Sequence, residues 1–377
     1  MKKKRLLPYL LCSLGLVAGI ALKGVQPFSI VENRELTTQP ILDLGHFLDK
    51  SSQESIEKFL NDQILFGEKM KRLYHEVENQ VNQGFLSWFS HHRYYTDLGH
   101  YLNHYGDSDM IVYRREDNVD LSGMNRFIEC WNQRLNELNI PTTLYYVTTS
   151  SVLDFNRPYL EDVYYETLKG LMVERRGRLE ISDFEEYQQL FFKTDHHWNY
   201  RGSYQGYRDI CTLLGITPIE TQATVNHHLQ TFGSSARILS NFQAPEDFIT
   251  YQFEEIPFLI TLINGKLASY GHEQDYYQGN IEDIFAMNHY AYYYGDDVGE
   301  VHFINPAQEG RLCVIGTSYD NAIIKLLAHS FRDVYAVDLR CYQEDMGEVF
   351  DLKDYVEKHK IDQLLFVGDQ YLFMEGN

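Results

Sequence analysis

The sequence contains little cysteine and no stripe of basic residues, and each shortage excludes a class of protein. Five of its 377 residues are cysteine; Cys12 lies in an apolar N-terminal run, and the other four are scattered without Cys-x-x-Cys spacing. This pattern indicates neither a zinc site nor a disulfide framework. Acidic residues outnumber basic ones by 54 to 33, giving a net charge of −21. Because the only basic cluster is Lys2–Arg5, we expect no nucleic-acid partner.

Long apolar runs are also scarce, and the one that stands out follows the basic cluster directly. It covers Leu6–Leu22, a length typical of a cleaved signal peptide or a short signal anchor. The positive residues before it keep the N-terminus in the cytoplasm and send the rest of the chain outward. We therefore predict a single-pass protein of the cell membrane, attached through an N-terminal helix, whose main domain is extracytoplasmic.

The remaining chain divides into three parts by pattern. Residues 1–28 form the basic stub and anchor, and residues 29–120 form a tether and an N-terminal helical segment. A possible capping box at Ser51–Glu54 opens an amphipathic helix that we expect to reach about residue 83. Residues 121–377 then carry an α/β domain with an insertion at about residues 216–308.

Short apolar runs alternate with amphipathic segments in this α/β domain, a rhythm typical of parallel strands that are buried on both faces. The predicted strands are Thr142–Val147, Leu312–Ile315, Val334–Val337 and Gln363–Val367. The predicted helices are Leu121–Asn139, Tyr159–Glu174, Tyr200–Leu214, Asn321–Phe331 and Leu352–Lys358. Within the insertion, Asn264-Gly265 suits a type I′ turn, so we expect a hairpin of Phe258–Ile263 and Lys266–Tyr270 on the main sheet.

Two polar segments carry candidate catalytic side chains. Asp195, His196 and His197 are consecutive, and Ser318 follows the predicted strand Leu312–Ile315 at the point where a helix should begin. A carboxylate, an imidazole and a hydroxyl are the components of a serine acyl-transfer site. In an extended segment Asp195 and His197 would point to one side, and His196 would point away towards packing or a hydrogen bond.

Each candidate has a plainer interpretation. Ser318 could simply cap the following helix, and Asp195 with the two histidines could be metal ligands, although adjacent histidines rarely chelate one ion. Arg340, at the end of the strand Val334–Val337, could bind an acyl or sugar oxygen or an oxyanion. It could equally form an ion pair with Asp338.

At these residues the sequence resembles the DHHW family of bacterial envelope proteins and, more distantly, the alginate O-acetylation proteins with domains like SGNH hydrolases. The similar segments are Thr194–Asn199 with Arg201–Tyr204, Gly316–Tyr319, Val337–Arg340, and Glu32–Arg34 with Leu36 and Pro40. Gly316–Tyr319 resembles the nucleophile block and Val337–Arg340 the arginine block. Thr317 departs from the pattern, because an Asp commonly precedes this serine.

The resemblance implies a fold, an activity and partners. It implies a parallel α/β sheet of the SGNH-hydrolase (flavodoxin-like) type, flanked by helices. It also implies Ser318 as nucleophile, His197 as general base and Asp195 as its orienting group, with Arg340 and Tyr319 as candidates for binding the oxyanion or substrate. The expected activity is O-acetyl transfer to a cell-envelope polysaccharide, beside a membrane-bound O-acyltransferase that supplies the acyl group, with no cofactor and no metal. An esterase using the same triad, or a non-catalytic envelope scaffold or glycan-binding protein, remains open.

Overall fold

The structure, a computed structural model, describes residues 24–29, 34–40, 51–64, 70, 73, 77, 102–105, 108–115, 119–138, 140–157, 160–238, 244–268 and 289–375. The chain divides into two compact units. One is drawn from residues 1–92, 236–243 and 285–287, and the other from residues 93–235, 244–284 and 288–377. The larger unit contains every candidate site residue.

The smaller unit contains two short strands and a helix among its described residues. β1 (Phe28–Ser29) pairs antiparallel with β2 (Arg34–Glu35), and α1 (Ser51–Gln63) begins at the predicted residue. Most of the predicted extension of this helix to residue 83, and all of the apolar run at residues 6–22, lie outside the described residues. Of the helices that the structure does describe, none combines the length and apolarity needed to cross a membrane.

The larger unit combines strands and helices. Its strands are β3 (Leu102–His104), β4 (Ile111–Tyr113), β5 (Thr142–Tyr146), β6 (Arg175–Arg178), β7 (Ala223–Thr231), β8 (Glu246–Gln252), β9 (Ile260–Ile263), β10 (Lys266–Leu267), β11 (Glu300–Ile304), β12 (Arg311–Gly316), β13 (Asp333–Val337) and β14 (Gln363–Gly368). Its helices are α2 (Ser122–Leu138), α3 (Val163–Leu168), α4 (Phe184–Leu190), α5 (Tyr200–Leu214), α6 (Ser234–Ile238, of which residues 236–238 are grouped with the smaller unit), α7 (His289–Tyr294), α8 (Ile324–Leu327), α9 (Leu339–Met346), α10 (Leu352–His359) and α11 (Leu372–Glu375).

Eight strands form one mixed sheet in the order β10-β9-β11-β13-β12-β14-β5-β6. The segment from β13 to β6 is parallel, whereas β11, β9 and β10 extend it antiparallel. The α/β class with a parallel core, and a hairpin added to the main sheet, are confirmed. The strand that follows β12 in the chain, β13, lies on one side of β12, and β14 lies on its other side, so β12 is a topological switch point. In α/β sheets, ligands bind beyond the carboxyl ends of the strands at such a point.

The sequence of β12 explains why it is central. Leu312 and Val314 pack into one hydrophobic cluster and Cys313 and Ile315 into the other, because successive side chains of a strand point to opposite faces. All four are fully buried. The strand therefore holds its last residue, Gly316, and the turn that follows in a fixed position.

Several predicted elements match the structure closely. α5 has the predicted bounds, and α2 differs from its prediction by one residue at each end. Asn264 and Gly265 have φ of 48° and 72°, as a type I′ turn requires.

Others differ for local reasons. The helix predicted over residues 321–331 is a 3-10 turn at Asp320–Ala322 followed by the single turn α8, because Ile323 leaves the helical conformation with φ of −125°. The helix predicted over residues 159–174 shrinks to α3, whose start is capped by the carboxylate of Asp162. The elements α4, α9 and the antiparallel ribbon β7–β8 were not predicted.

Candidate active site

The Asp-His-His-Trp segment is a tight loop and not an extended strand. Phe191 and Trp198 form an isolated antiparallel bridge, and the N–H of Phe192 donates to the carbonyl oxygen of His197 at 3.2 Å. Trp198 is fully buried against Gly206 of α5, where a Cβ would lie 2.5 Å from the indole ring. The buried indole anchors the loop, and the residues before it are turned towards β12.

Three of the candidate side chains meet in one hydrogen-bonded relay. His197 Nδ1 lies 2.5 Å from Asp195 Oδ1, and His197 Nε2 lies 2.7 Å from Ser318 Oγ, across 121 residues of sequence. An ionised carboxylate can only accept, so Nδ1 carries the proton and Nε2 accepts from the serine hydroxyl. This is the tautomer in which an imidazole can take a proton from Ser318.

Asp195 is held as a carboxylate. Burial alone would raise the pKa of Asp195, but the imidazole of His197 and the further donors around the carboxylate outweigh it, so the pKa lies well below the usual range. The N–H of His197 donates to Oδ1 at 3.0 Å, and the N–H of Ser234 donates to Oδ2 at 2.7 Å. The backbone of Gly233 packs on this carboxylate so closely that a Cβ there would lie 2.4 Å from Oδ2.

Glu246 of β8 fixes the residues just before Asp195. Its two carboxylate oxygens accept from the N–H of Lys193 at 2.9 Å, and from the N–H and hydroxyl of Thr194 at 2.8 and 2.7 Å. Burial raises the pKa of Glu246 to about 6, even though these donors oppose the shift. The ribbon β7–β8 is thus tied to the loop that carries the relay.

Ser318 lies in the turn beyond β12. Gly316 permits this turn, because a Cβ on it would lie 2.4 Å from Asp320 Oδ2. No side chain caps the 3-10 turn or α8, and the hydroxyl of Ser318 bonds to His197 instead of to a helix N–H.

Tyr290 of α7 contacts both His197 and Ser318. Its ring stacks on the imidazole of His197, with centroids 3.8 Å apart and planes 8° apart. Its hydroxyl donates to the carbonyl oxygen of Ser318 at 2.8 Å. We did not predict the roles of Tyr290, Gly233, Ser234 and Glu246 from the sequence, because all four lie in the region that we assigned to an insertion.

His196 differs from its prediction. Its Nδ1 lies 2.6 Å from Ser234 Oγ, so it does form a hydrogen bond, but its side chain lines the cavity at Ser318 instead of pointing away. The cause is the bent loop, in which the alternation of a strand does not apply. Burial, together with the neighbouring His197 and Arg340, lowers the pKa of His196 to about 3, so this ring is neutral near pH 7.

Asp195, His196 and His197 lie close enough together to hold a metal ion. Both ring nitrogens of His197 already have partners, and Nδ1 of His196 is bonded to Ser234. An ion at these three residues would therefore have to break the relay.

Arg340 and Tyr319 have structural partners as well as a place at the site. Arg340 pairs with both oxygens of Asp338, and its Nη2 lies 3.0 Å from Asp297 Oδ2. Although burial opposes the charged form, these carboxylates raise the pKa of Arg340. Tyr319 donates its hydroxyl to the carbonyl oxygen of His196 at 3.0 Å. The ion pair that we considered for Arg340 is present, and the guanidinium still lines the cavity.

A cavity of about 200 Å³ opens at Ser318. Its lining combines the loops after β5, β12 and β14 with Arg340, and every lining residue carries a polar group; the residues are Tyr113, Thr149, Ser150, Ser151, His196, Thr317, Ser318, Tyr319, Arg340, Asp369 and Tyr371. Thr317 is 8% exposed, and its hydroxyl has no hydrogen-bond partner among the described residues. A buried hydroxyl without a partner costs free energy, and a hydrogen bond to a ligand oxygen would recover that cost.

Together these groups can perform nucleophilic acyl chemistry. The relay supplies a hydroxyl with a base beside it, and the cavity offers donors to an oxygen of an acyl group. The lining also presents hydroxyls and a carboxylate to a polar acceptor. The structure thus brings all five residues singled out from the sequence to one site.

The family model described as DHHW protein matches residues 172–337, which include the loop, the relay and Tyr290. This match confirms the resemblance inferred from the motif. No curated protein matches the sequence.

Solved structures share the fold. PatB1 of Bacillus cereus with a sulfonyl adduct matches with a TM-score of 0.54 and 21% identity, over 71% of this chain and 93% of that one. A DHHW family protein from Eubacterium siraeum matches with a TM-score of 0.52 and 17% identity, over 70% and 88%. The O-acetyltransferase domain of Pseudomonas putida AlgJ reaches 0.40 at 11% identity, over 72% and 92%, a score too low for a common fold to be inferred.

Proposed function

We propose that this chain, which carries the DHHW segment, is an extracytoplasmic O-acyltransferase of the SGNH type. It would transfer an acetyl group to a cell-envelope polysaccharide. Ser318 is the nucleophile, His197 the general base and Asp195 the group that orients it. The observation that carries the proposal is the unbroken relay from Asp195 through His197 to Ser318 at the switch point of the sheet. That geometry is the one that activates a serine.

The first half-reaction loads the serine. Ser318 Oγ attacks the carbonyl carbon of the acyl donor, and its proton passes to His197 Nε2. The carbonyl oxygen becomes an oxyanion, for which the Thr317 hydroxyl and the Arg340 guanidinium are candidate donors, because both residues line the cavity. The C–O bond to the donor then breaks, His197 protonates the leaving oxygen, and the acyl group remains on Ser318.

The second half-reaction reverses these roles. A glycan hydroxyl gives its proton to His197 and attacks the acyl carbon, and the bond to Ser318 Oγ breaks as His197 returns the proton to the serine. Throughout both halves the ionised Asp195 stabilises the imidazolium. The route needs no cofactor, because a serine ester divides the transfer into two steps.

Cavity size and chain layout support the finer parts of the proposal. About 200 Å³ shared between donor and acceptor favours a short acyl group such as acetyl over a long chain. The basic cluster before residues 6–22 supports a membrane-anchored protein with its main domain outside. A membrane-bound O-acyltransferase, as the resemblance implies, would then deliver acetyl groups to this side.

A relative of the same fold supports the nucleophile. PatB1 of Bacillus cereus was obtained with a sulfonyl adduct, and sulfonyl reagents react with activated hydroxyls. In this chain the hydroxyl of Ser318 lies 2.7 Å from the imidazole of His197, and Ser318 lines the cavity. An esterase would use the same relay with water as acceptor.

The decisive experiment separates transfer from hydrolysis. Full-length protein in detergent is supplied with p-nitrophenyl acetate and an oligosaccharide acceptor, and acetylated glycan and free acetate are measured together. The proposal expects glycan acetate to form, and expects Ser318→Ala to abolish it while leaving the thermal unfolding temperature nearly unchanged.

Three outcomes would overturn the proposal. Release of acetate at the same rate with and without acceptor would identify an esterase, and full transfer by Ser318→Ala would remove the serine mechanism. Loss of activity with a chelator, restored by a divalent ion, would identify the Asp195–His197 cluster as a metal site.

A further inference from the structure

A second cavity lies in the larger unit, on the ribbon β7–β8, and the proposed reaction does not use it. We call it the ribbon groove. Its volume is about 360 Å³ and its walls are β7, β8, the segment to Ile256, Tyr293 of α7, and residues 325–329 around α8. It shares no lining residue with the described cavity at Ser318. Its size falls in the range of ligand-binding clefts, ~300–1,000 Å³.

Three aromatic rings line this groove. Tyr251 and Phe253 are two residues apart, so they share one face of the chain, and both are only partly buried. Tyr293 of α7 also lines the groove, but it is 8% exposed, so Tyr251 and Phe253 supply most of the aromatic surface. The negative face of an aromatic ring attracts polarised C–H groups, and one face of a sugar ring is a patch of such C–H groups. The aromatic wall therefore suits a sugar.

Hydrogen-bonding groups complete the lining. Glu254 and Glu255 supply carboxylates, which accept from hydroxyls, and Lys325 supplies a donor. Burial lowers the pKa of both His227 and His329, so both rings are neutral near pH 7 and can form hydrogen bonds without adding charge. Nε2 of His227 lies 2.8 Å from the hydroxyl oxygen of Thr250.

Charge narrows the class of sugar. Glu255 lies 4.0 Å from Lys325, and Glu254 adds a second carboxylate, so the charged groups that line the groove are net negative, and the whole chain carries a charge of −21. A polyanionic chain such as a polyuronate would be repelled. A neutral sugar, or an amino sugar whose ammonium group meets Glu254 or Glu255, would be accepted.

The groove is connected to the relay through α7. Tyr293 lines the groove, and Tyr290, one helical turn earlier, stacks on His197. A glycan held at Tyr293 is therefore held against the helical turn that also supports the catalytic imidazole.

We propose that the ribbon groove binds a neutral or amino-sugar segment of the glycan, away from the residue that receives the acyl group. This site would deepen the proposed function, because it names the class of acceptor. It rests on the proposed function only in identifying the bound glycan as the acceptor of the acyl group. Binding itself requires no chemistry at Ser318.

The test measures binding separately from transfer. Isothermal titration of full-length protein uses three probes of equal length: a glucosamine oligomer, its N-acetylated form and an oligouronate. Binding of at least one of the first two, at least tenfold tighter than the oligouronate, is expected. Ser318→Ala should bind like wild type, so a failed transfer assay would leave this result standing.

Variants locate the site. Tyr251→Ala combined with Phe253→Ala should weaken binding at least tenfold, whereas Tyr292→Ala, an exposed ring on α7 outside the groove, should leave it unchanged. If the double variant does not fold, Glu254→Gln with Glu255→Gln replaces it and should remove any preference for the amino sugar. Wild-type affinity in a folded double variant, or tighter binding of the oligouronate, would overturn the proposal.

Discussion

The ring of Tyr290 lies flat on the imidazole of His197, with centroids 3.8 Å apart, while its hydroxyl reaches the carbonyl oxygen of Ser318. One side chain thus fixes the plane of the imidazole of His197 and the backbone of Ser318. The relay lies between two walls, the turn after β12 and the helix α7, and its geometry depends on both.

Removing parts of Tyr290 should separate these two tasks. Tyr290→Phe keeps the stack and loses one hydrogen bond worth ~1 kcal/mol, so kcat should fall by up to about tenfold. Tyr290→Ala also frees the imidazole, and kcat should fall further, with a cost of ~3–5 kcal/mol in unfolding free energy. The kcat is measured with p-nitrophenyl acetate and the free energy of unfolding by urea titration, with Tyr292→Phe as the control. An unimpaired kcat in Tyr290→Ala would refute the role.

Thr317→Val should separate catalysis from stability. Loss of an oxyanion donor lowers kcat by about 10²–10³-fold with little change in KM, and removal of a buried hydroxyl without a partner leaves stability equal or higher. Thr148→Val is the matched control, because Thr148 has a buried hydroxyl of the same kind that does not line the cavity. Equal rates for the two variants would exclude Thr317 as a donor.

Gly233→Ala should move the carboxylate of Asp195. The new Cβ would lie 2.2 Å from Asp195 Cβ, so the loop must shift, and kcat should fall at least about tenfold because imidazole orientation is lost. Gly123→Ala, whose nearest atom is at 3.3 Å on α2, should keep full activity. Assays of both variants against the small ester check this, and an active Gly233→Ala would show that the close packing is not required.

The pH dependence of stability should report on Glu246. Its folded pKa of about 6 lies above its ordinary 4.5, so its contribution is fully present below pH 4.5 and is lost as the pH rises through 6. Between pH 4 and 7, wild type should therefore lose ~1–2 kcal/mol of unfolding free energy relative to Glu246→Gln. Urea titrations across this range give the difference, and parallel curves for the two proteins would contradict the shift.

The sequence predicted the central architecture because its signals are local. Leu312–Ile315 is a short apolar run, and Asn264-Gly265 specifies its own turn. The predictions of the short helices were wrong because tertiary contacts determine where these helices begin and end. The break at Ile323 interrupts a sequence pattern that is typical of one continuous helix. The ribbon β7–β8 alternates weakly and carries many polar residues, so periodicity did not reveal it.

The site was predicted in part for a similar reason. Asp195, His197 and Ser318 carry chemistry that residue type alone indicates. Tyr290 and Glu246 act through packing and through backbone N–H groups, which no residue type signals. The orientation of His196 could not be inferred, since it depends on the bridge between Phe191 and Trp198.

Trapping the acyl-enzyme tests the central claim most directly. Protein mixed with p-nitrophenyl acetate is quenched in acid within milliseconds to seconds, digested and analysed by mass spectrometry. A single acetyl group on Ser318 is expected in wild type, and no acetyl group is expected on Ser318 in His197→Ala. Acetyl on another residue, or equal labelling of Ser318 without His197, would contradict the account.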